Sequence, residues 1–341
     1  NRACSSSIQS LTCGAESIMA GKNQVVIAGG AESLSQVEVP YSQEIMLVLQ
    51  KFSKAKSLQE KISLLTQINI KDLIPSMPNI GELSTGHSMG EHAEIMARKN
   101  GISRQEQDQY AYESHLKSAK AMEDGKFKKE VVTTYSIPEY KPVSEDNNIR
   151  KETSVASMAK LKPVFDKKYG TVTAANSSPL TDGGSSVLIM SEKRAKELGY
   201  KPKAYIKEYA YAALDPNDQL LLGNAYSIPL ALDRSKLSLK DMDLIDMHEA
   251  FAVQVLSTIK ALGSKKFAEE KLNRNEAIGE INQEIFNVNG GSVAIGHPFG
   301  ATGGRMVTTL ANELERRDKQ FGLLSICAAG AMSVAMIIER T

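Results

Sequence analysis

The chain has 341 residues, 42% of them hydrophobic and 24% charged, a balance that supports two or three core-forming units and excludes a disordered or fibrous protein. Its formal net charge is +1 with acidic and basic residues interspersed, so there is no global field to draw in nucleic acid. Three cysteines, Cys4, Cys13 and Cys327, are too few and too scattered for a disulfide framework or a zinc site; they suggest a reducing compartment and leave single thiols as candidate nucleophiles. No apolar run approaches the roughly 18 residues of a membrane span.

Asn1, Arg2, Ala3 and Cys4 open the sequence in the middle of an element, so the N-terminal part of the first unit, with any targeting segment, is expected upstream. Cys4-Ser5-Ser6-Ser7, followed by Ile8, Leu11, Ala15, Ile18 and Met19, predicts a capped helix with one apolar face that ends near Gly21. Cys4 thus falls at or just before a helix N-terminus. The β-branched run from Gln24 to Ala28 predicts a buried strand closed by Gly29-Gly30. From Glu38 to Lys167 the periodicity is helical, at Leu58, Ile62 and Leu65 and again from Gln105 to Met122, which predicts a largely helical insertion. Strand patterning resumes at Thr171, with a glycine turn at Asp182-Gly183-Gly184 and a strand from Ser186 to Met190.

After Gly300, Met306, Leu310 and Leu314 predict a helix that leads to a strand from Leu323 to Ile326 and then to Cys327-Ala328-Ala329-Gly330. This order mirrors Cys4, helix, strand, Gly29-Gly30, and the segments 184–192 and 331–339 read as two copies of one closing strand. The pattern predicts an α/β fold of two related halves. Residues 1–37 and 171–200 would be the remainder of the N-terminal half, 38–170 a helical insertion, and 201–341 the C-terminal half.

Four segments concentrate the chemistry: Ala-Cys4-Ser-Ser-Ser, Met-His248-Glu-Ala-Phe, Gly-His297-Pro-Phe-Gly-Ala-Thr-Gly and Cys327-Ala-Ala-Gly. Together, and in this order, they resemble the thiolase family, and Asn289 to Gly303 is the most specific of the matches. The resemblance implies a thiolase-like fold: two similar βαβαβαββ halves in α/β/α/β/α layers with a mostly helical insertion, the first half incomplete. Histidine in place of the more usual asparagine before Glu-Ala-Phe, and Cys-Ala-Ala-Gly in place of Cys-x-Gly, look like the β-subunit of the fatty-acid oxidation complexes. The implied reaction is cleavage of 3-ketoacyl-CoA by CoA through an acyl-cysteine. No cofactor is implied, since CoA is itself a substrate.

A thiol near a helix N-terminus has its thiolate stabilised by the macrodipole and free backbone N–H groups, which would activate Cys4. Cys13, inside the same helix, reads as a buried structural cysteine. His297, in its glycine-rich setting, suits a base for Cys4. By resemblance, His297 also helps hold an oxyanion, Cys327 is the acid/base at the α-carbon, and His248 belongs to the enolate oxyanion hole. The backbone N–H groups of Cys4 and Ala329 would hold the thioester oxygen. Met89 and Ser178 are implied in substrate and CoA binding, while His87 and His92 read as structural and no metal site is expected. Lys51, Lys54, Lys56, Lys61 and Lys71 flank Leu58, Ile62 and Leu65, a basic amphipathic stretch that would pack on the core or touch a partner or a membrane surface. A homodimer, a hydratase/dehydrogenase α-subunit partner and a bacterial cytoplasmic or mitochondrial-matrix location also follow from the resemblance. The competing readings are a biosynthetic acetoacetyl-CoA thiolase, a 3-ketoacyl synthase, and a non-catalytic structural subunit or inactive fragment.

Overall fold

The computed structural model describes residues 1–36, 42–73 and 81–341. The boundary expected at residues 37 and 38, and positions 38–41 and 74–80 of the expected insertion, lie outside the described residues. Residues 35–81 form a unit of their own. It holds helices α2 (Gln43–Lys54) and α3 (Leu58–Leu65), started by the Ser42 and Ser57 side chains. Leu58, Ile62 and Leu65 are exposed, so their stripe does not pack on a core as expected. Two helices of 12 and 8 residues offer each other too little surface to bury both apolar faces.

The other unit, residues 1–34 and 82–341, contains everything else. A single 3-10 turn, Ala3–Ser5, leads into α1 (Ser6–Met19) and strand β1 (Val25–Glu32). Helices α4 (Met89–Asn100) and α5 (Arg104–Glu123) each begin with a capping box, Ser88 with Glu91 and Ser103 with Glu106. Gly101, with a left-handed φ of 61°, separates them. A short hairpin follows, β2 (Thr134–Ser136) and β3 (Lys141–Val143), which helical periodicity did not indicate. Next come α6 (Val155–Met158), β4 (Gly183–Met190), α7 (Glu192–Glu197), β5 (Tyr205–Ala213), α8 (Pro216–Gln219) and α9 (Asn224–Ser235). The chain ends with β6 (Leu244–Met247), α10 (Ala252–Leu262), α11 (Lys265–Leu272), α12 (Ser292–Ile295), α13 (Thr302–Arg317), β7 (Phe321–Ala328) and β8 (Met332–Glu339).

The expected repeat is present in the topology. Helix α1, β1 and the antiparallel β4 form one copy; α13, β7 and the antiparallel β8 form the other. The second sheet has the order β5-β8-β7-β6, with β6 parallel to β7. Strands β7 and β8 are almost wholly buried because helices cover both faces. Ile228, Leu232, Val255 and Leu262 of α9 and α10 pack on one side. On the other, Ile8 and Leu11 of α1 and Met306, Leu310 and Leu314 of α13 fill the space towards Ala28 of β1. The two repeat helices therefore lie between the two sheets. On the far face of β1 and β4, the directly paired Ile27 and Leu188 are exposed.

Three element ends differ from the sequence-based expectation. Strand β1 runs through Gly29-Gly30, and β4 begins at Gly183, because Gly29 to Glu32 stay in register with Ser186 to Gly183. Pairing, which no single segment reveals, sets their lengths. A Cβ on Gly30 would lie 2.0 Å from the Gly300 carbonyl oxygen, so this glycine serves the close passage of the loop before α13 and not a turn. Likewise Cys327 lies inside β7, not beyond it.

Candidate active site

The repeat helices bring the first and last motifs together. Glycines in the first turn of α13 let it sit against the first turn of α1: a Cβ on Gly303 would meet Ile8 at 2.6 Å, and the Gly304 N–H donates to Ser7 Oγ at 2.9 Å. Cys4 lies in the 3-10 turn just before α1, as its sequence setting predicted. Ala3, which precedes it, has a φ of +46°, an unfavourable conformation for a residue with a side chain and a mark of a sharply turned backbone.

The expected activation of Cys4 by the helix terminus needs correcting. Burial pushes the thiol up to about 11; the N–H groups of Ala329 and of Cys4 itself, which bond the sulfur, oppose this, and the Glu32 carboxylate adds to it. Desolvation outweighs the backbone donors, so the resting thiol is protonated at neutral pH. Glu32 is fixed in place by the Gly300 N–H at 3.0 Å. Cys327, buried at 1% exposure, is pushed up as well, by burial first and then by the charge of Cys4, which places the two sulfurs close together.

The parallel pair β6–β7 ties His248 to the strand that holds Cys327. Met247 is in register with Ser325, and the His248 N–H donates to the Ser325 carbonyl at 2.8 Å, two residues before Cys327. His297 is delivered by a different route. The segment after Thr173 bridges both histidine loops: Ser177 pairs with Phe251, the Ser178 N–H donates to the Ala250 carbonyl at 3.0 Å, and the His297 N–H donates to the Pro179 carbonyl at 3.1 Å. The two imidazoles end 4.1 Å apart, centroid to centroid. Burial is the first cause that pushes both below their ordinary range, His248 to about 3, so both are neutral at physiological pH.

Each ring leaves Nε2 buried without a partner and engages a hydroxyl through Nδ1, Ser292 Oγ at 3.0 Å for His248 and Thr302 Oγ1 at 2.7 Å for His297. Thr302 has another acceptor for its own proton, the Pro298 carbonyl at 3.1 Å. It can then accept from His297 Nδ1–H, which leaves Nε2 with a lone pair fit to take a proton.

Of the remaining sequence candidates, Met89 is half-buried against the apolar cluster that contains Cys327 and Ala331. Ala329 presents its N–H to Cys4, and Ser178 is placed through its backbone between the histidine loops. His92 is buried, bonded to Thr85 Oγ1 at 2.8 Å, while His87 is exposed. Among the described residues no group of His, Cys, Asp or Glu is arranged to hold a metal ion.

Sequence reasoning passed over Glu249, although it stands next to His248. Its fully buried carboxylate accepts from Tyr110 Oη, Ser114 Oγ and Asn287 Nδ2, each at 2.8 Å, and from the Val293 N–H at 3.1 Å. These bonds tie the His248 loop to α5 and to the glycine loop before α12. Arg305 was passed over too: it donates to the Gly296 carbonyl at 2.8 Å and to Ser292 Oγ at 2.7 Å. A buried-polar position in a quoted motif was the available signal for Glu249; nothing in the local sequence marked Arg305.

Profiles of known families match nearly the whole chain, the thiolase N-terminal domain over residues 1–193 and the thiolase C-terminal domain over residues 200–340. A 3-ketoacyl-CoA thiolase of Photobacterium profundum is 50% identical over 338 residues, 99% of this chain and 78% of the relative. One from Escherichia coli (strain K12) is 49% identical over 339 residues, with the same shares covered. Among solved structures, human mitochondrial 3-ketoacyl-CoA thiolase superposes with a TM-score of 0.81 at 32% identity, covering all of this chain and 78% of that one. The Bacillus anthracis acetyl-CoA acetyltransferase gives 0.80 at 33% identity, over 99% and 77% of the two chains. Fold and comparisons define an acyltransferase that works on CoA thioesters. The chain belongs to the thiolase family.

Proposed function

We propose that this enzyme cleaves 3-ketoacyl-CoA with CoA, through an acyl group carried on Cys4. The observation that carries the assignment of roles is the pairing of a half-buried thiol, Cys4, with the buried Cys327, whose strand binds the first of two neutral imidazoles 4.1 Å apart with unpartnered Nε2 atoms. His297 Nε2 takes the Cys4 proton, and the sulfur attacks the 3-keto carbon. The bond between the α- and 3-carbons then breaks, leaving the acyl group on Cys4 and the enolate of acetyl-CoA, which takes a proton from Cys327. The thiol of a second CoA gives its proton to Cys327 and displaces the acyl group as the shortened acyl-CoA, and His297 returns its proton to the departing Cys4 sulfur, so both thiols and the imidazole regain their starting state. This is covalent catalysis in two half-reactions. His248 and His297 hold the enolate oxygen, and the N–H groups of Cys4 and Ala329 hold the thioester oxygen, donors worth several kcal/mol because they act in a dry site. Met89 and Ser178 line the path of the acyl chain and pantetheine arm.

Cys327→Ala is expected to lower overall cleavage about 1,000-fold, in the range for loss of a general acid/base, while acyl-CoA still acylates Cys4. Acylation is read by intact mass and cleavage by absorbance. Loss of acylation along with cleavage, or full cleavage activity, would remove Cys327 from this role.

The same proposal covers the division into two thiolase halves and an insertion, a homodimer, and docking to a hydratase/dehydrogenase α-subunit. Apolar surface supports the last two: the exposed Ile27–Leu188 pair, and in the 35–81 unit the exposed Leu58, Ile62 and Leu65 among lysines, which also suit a peripheral membrane contact. No described helix is long and apolar enough to cross a membrane. The bacterial relatives support a cytoplasmic setting. Sedimentation of the purified protein should give twice the chain mass, and fractionation of source cells tests the location; a monomer that is fully active alone would count against the dimer.

A further inference from the structure

We infer that Ser292, polarised by Arg305, is a positioning residue that fixes the tautomer of His248, so that His248 Nε2 enters the site as a hydrogen-bond donor. The inference rests on the assignment of the enolate oxyanion hole above and names what holds one of its donors in the right state.

The argument is a count of protons. Ser292 is 1% exposed, so its hydroxyl depends on protein partners. A guanidinium can only donate, so the 2.7 Å contact from Arg305 Nη2 occupies one lone pair of Ser292 Oγ. Among the described residues Ser292 Oγ has one other side-chain partner, His248 Nδ1 at 3.0 Å. If Nδ1 carried the proton, the hydroxyl would accept twice and its own O–H would be stranded in the interior, a costly arrangement. The arrangement that satisfies Ser292 has its O–H donating to a bare Nδ1, which leaves the proton on Nε2, where the enolate oxygen of the proposed reaction is its acceptor. The cation at Arg305 strengthens this by drawing electron density from the hydroxyl oxygen and making its hydrogen a better donor.

His297 has the opposite arrangement for a structural reason. Thr302 also bonds an Nδ1, but it has the Pro298 carbonyl as an outlet for its own proton, and among the described residues Ser292 has no counterpart of that carbonyl. Two neutral rings 4.1 Å apart thus offer different faces, an acceptor at His297 Nε2 and a donor at His248 Nε2. Arg305 also bonds the Gly296 carbonyl, so one guanidinium steadies the loops of both histidines.

The first test uses the wild-type protein. Nitrogen NMR of histidine-labelled enzyme at neutral pH is expected to show His248 with a protonated Nε2 and a bare Nδ1; the reverse overturns the inference. The second uses the separable half-reactions. Ser292→Ala should slow carbon–carbon cleavage and the exchange of acetyl-CoA α-hydrogens about 30-fold with KM unchanged. Acyl exchange between acyl-CoA and free CoA, which uses the N–H donors of Cys4 and Ala329, should stay within about twofold. Ser292→Thr, which keeps the hydroxyl, should restore cleavage. Equal losses in both half-reactions, or no loss in either, overturn the role of Ser292. Failure of the wider site assignment is distinguishable, because it would show as wild-type enzyme with no acyl exchange, or exchange that survives Cys4→Ala.

Discussion

Cys4→Ala is expected to lower 3-ketoacyl-CoA cleavage by about 10,000-fold or more and to abolish the acyl-enzyme, because no other group can supply the covalent intermediate. The other thiols are poorly placed. Cys327 is buried inside β7 with its thiol pushed further up than that of Cys4, and Cys13, expected to be buried, is exposed on the outer side of α1, with its sulfur bonded by Gln9 Nε2. Cys4 has Ala329 N–H and its own N–H on the sulfur, so charge that develops there during attack meets donors already in position. The loss of one sulfur atom leaves the 3-10 turn and α1 intact, so the variant should fold and bind substrate normally. Intact mass after incubation with acyl-CoA checks the result: wild type gains one acyl group and the variant none. Acylation that persists in the variant would move the nucleophile to another cysteine.

Glu249→Ala should cost about 4 kcal/mol of stability. The carboxylate is fully buried and accepts four hydrogen bonds, and its removal strands donors from α5, from Asn287 and from the Val293 backbone. Burial and the charge of Glu249 push the Tyr110 phenol well above its usual range, so it remains a donor that needs an acceptor. Glu249→Gln retains one acceptor oxygen and should cost about half as much, since its amide N–H groups face other donors. Urea unfolding of the three proteins measures the difference through the transition midpoint at constant slope. A loss below about 1 kcal/mol for the alanine variant would mean that water had taken the place of the carboxylate. Both variants should also lose activity, because the same bonds hold the His248 loop against the glycine loop.

Much of this was legible in the chain alone. The apolar spacing after Ser7 placed Cys4 at the start of a helix, the run through Leu310 and Leu314 located its counterpart, and the two closing strands showed the repeat. Local hydrogen bonding and side-chain periodicity decide such elements, so they leave a pattern in short stretches. The ends were less legible: β1 passes through Gly29-Gly30 because β4 pairs with it, some 150 residues away. In the 35–81 unit, periodicity gave the helix α3 but not the exposure of its apolar stripe, which depends on what is packed against it.

By itself, the sequence determined the family motifs, the repeated helix and strand units, and the identity of the two cysteines and two histidines. Only the tertiary structure decided their chemical states. A helix terminus argued for a lowered Cys4 thiol, yet burial between packed elements raises it, because desolvation is a property of the whole surroundings. The two imidazoles are the same side chain, but Thr302 has a carbonyl for its proton and Ser292 has an arginine on its lone pair. Those partners come from distant points of the chain or from the geometry of a helix start, and a proton's position on a ring depends on which of them folding brings within hydrogen-bonding distance.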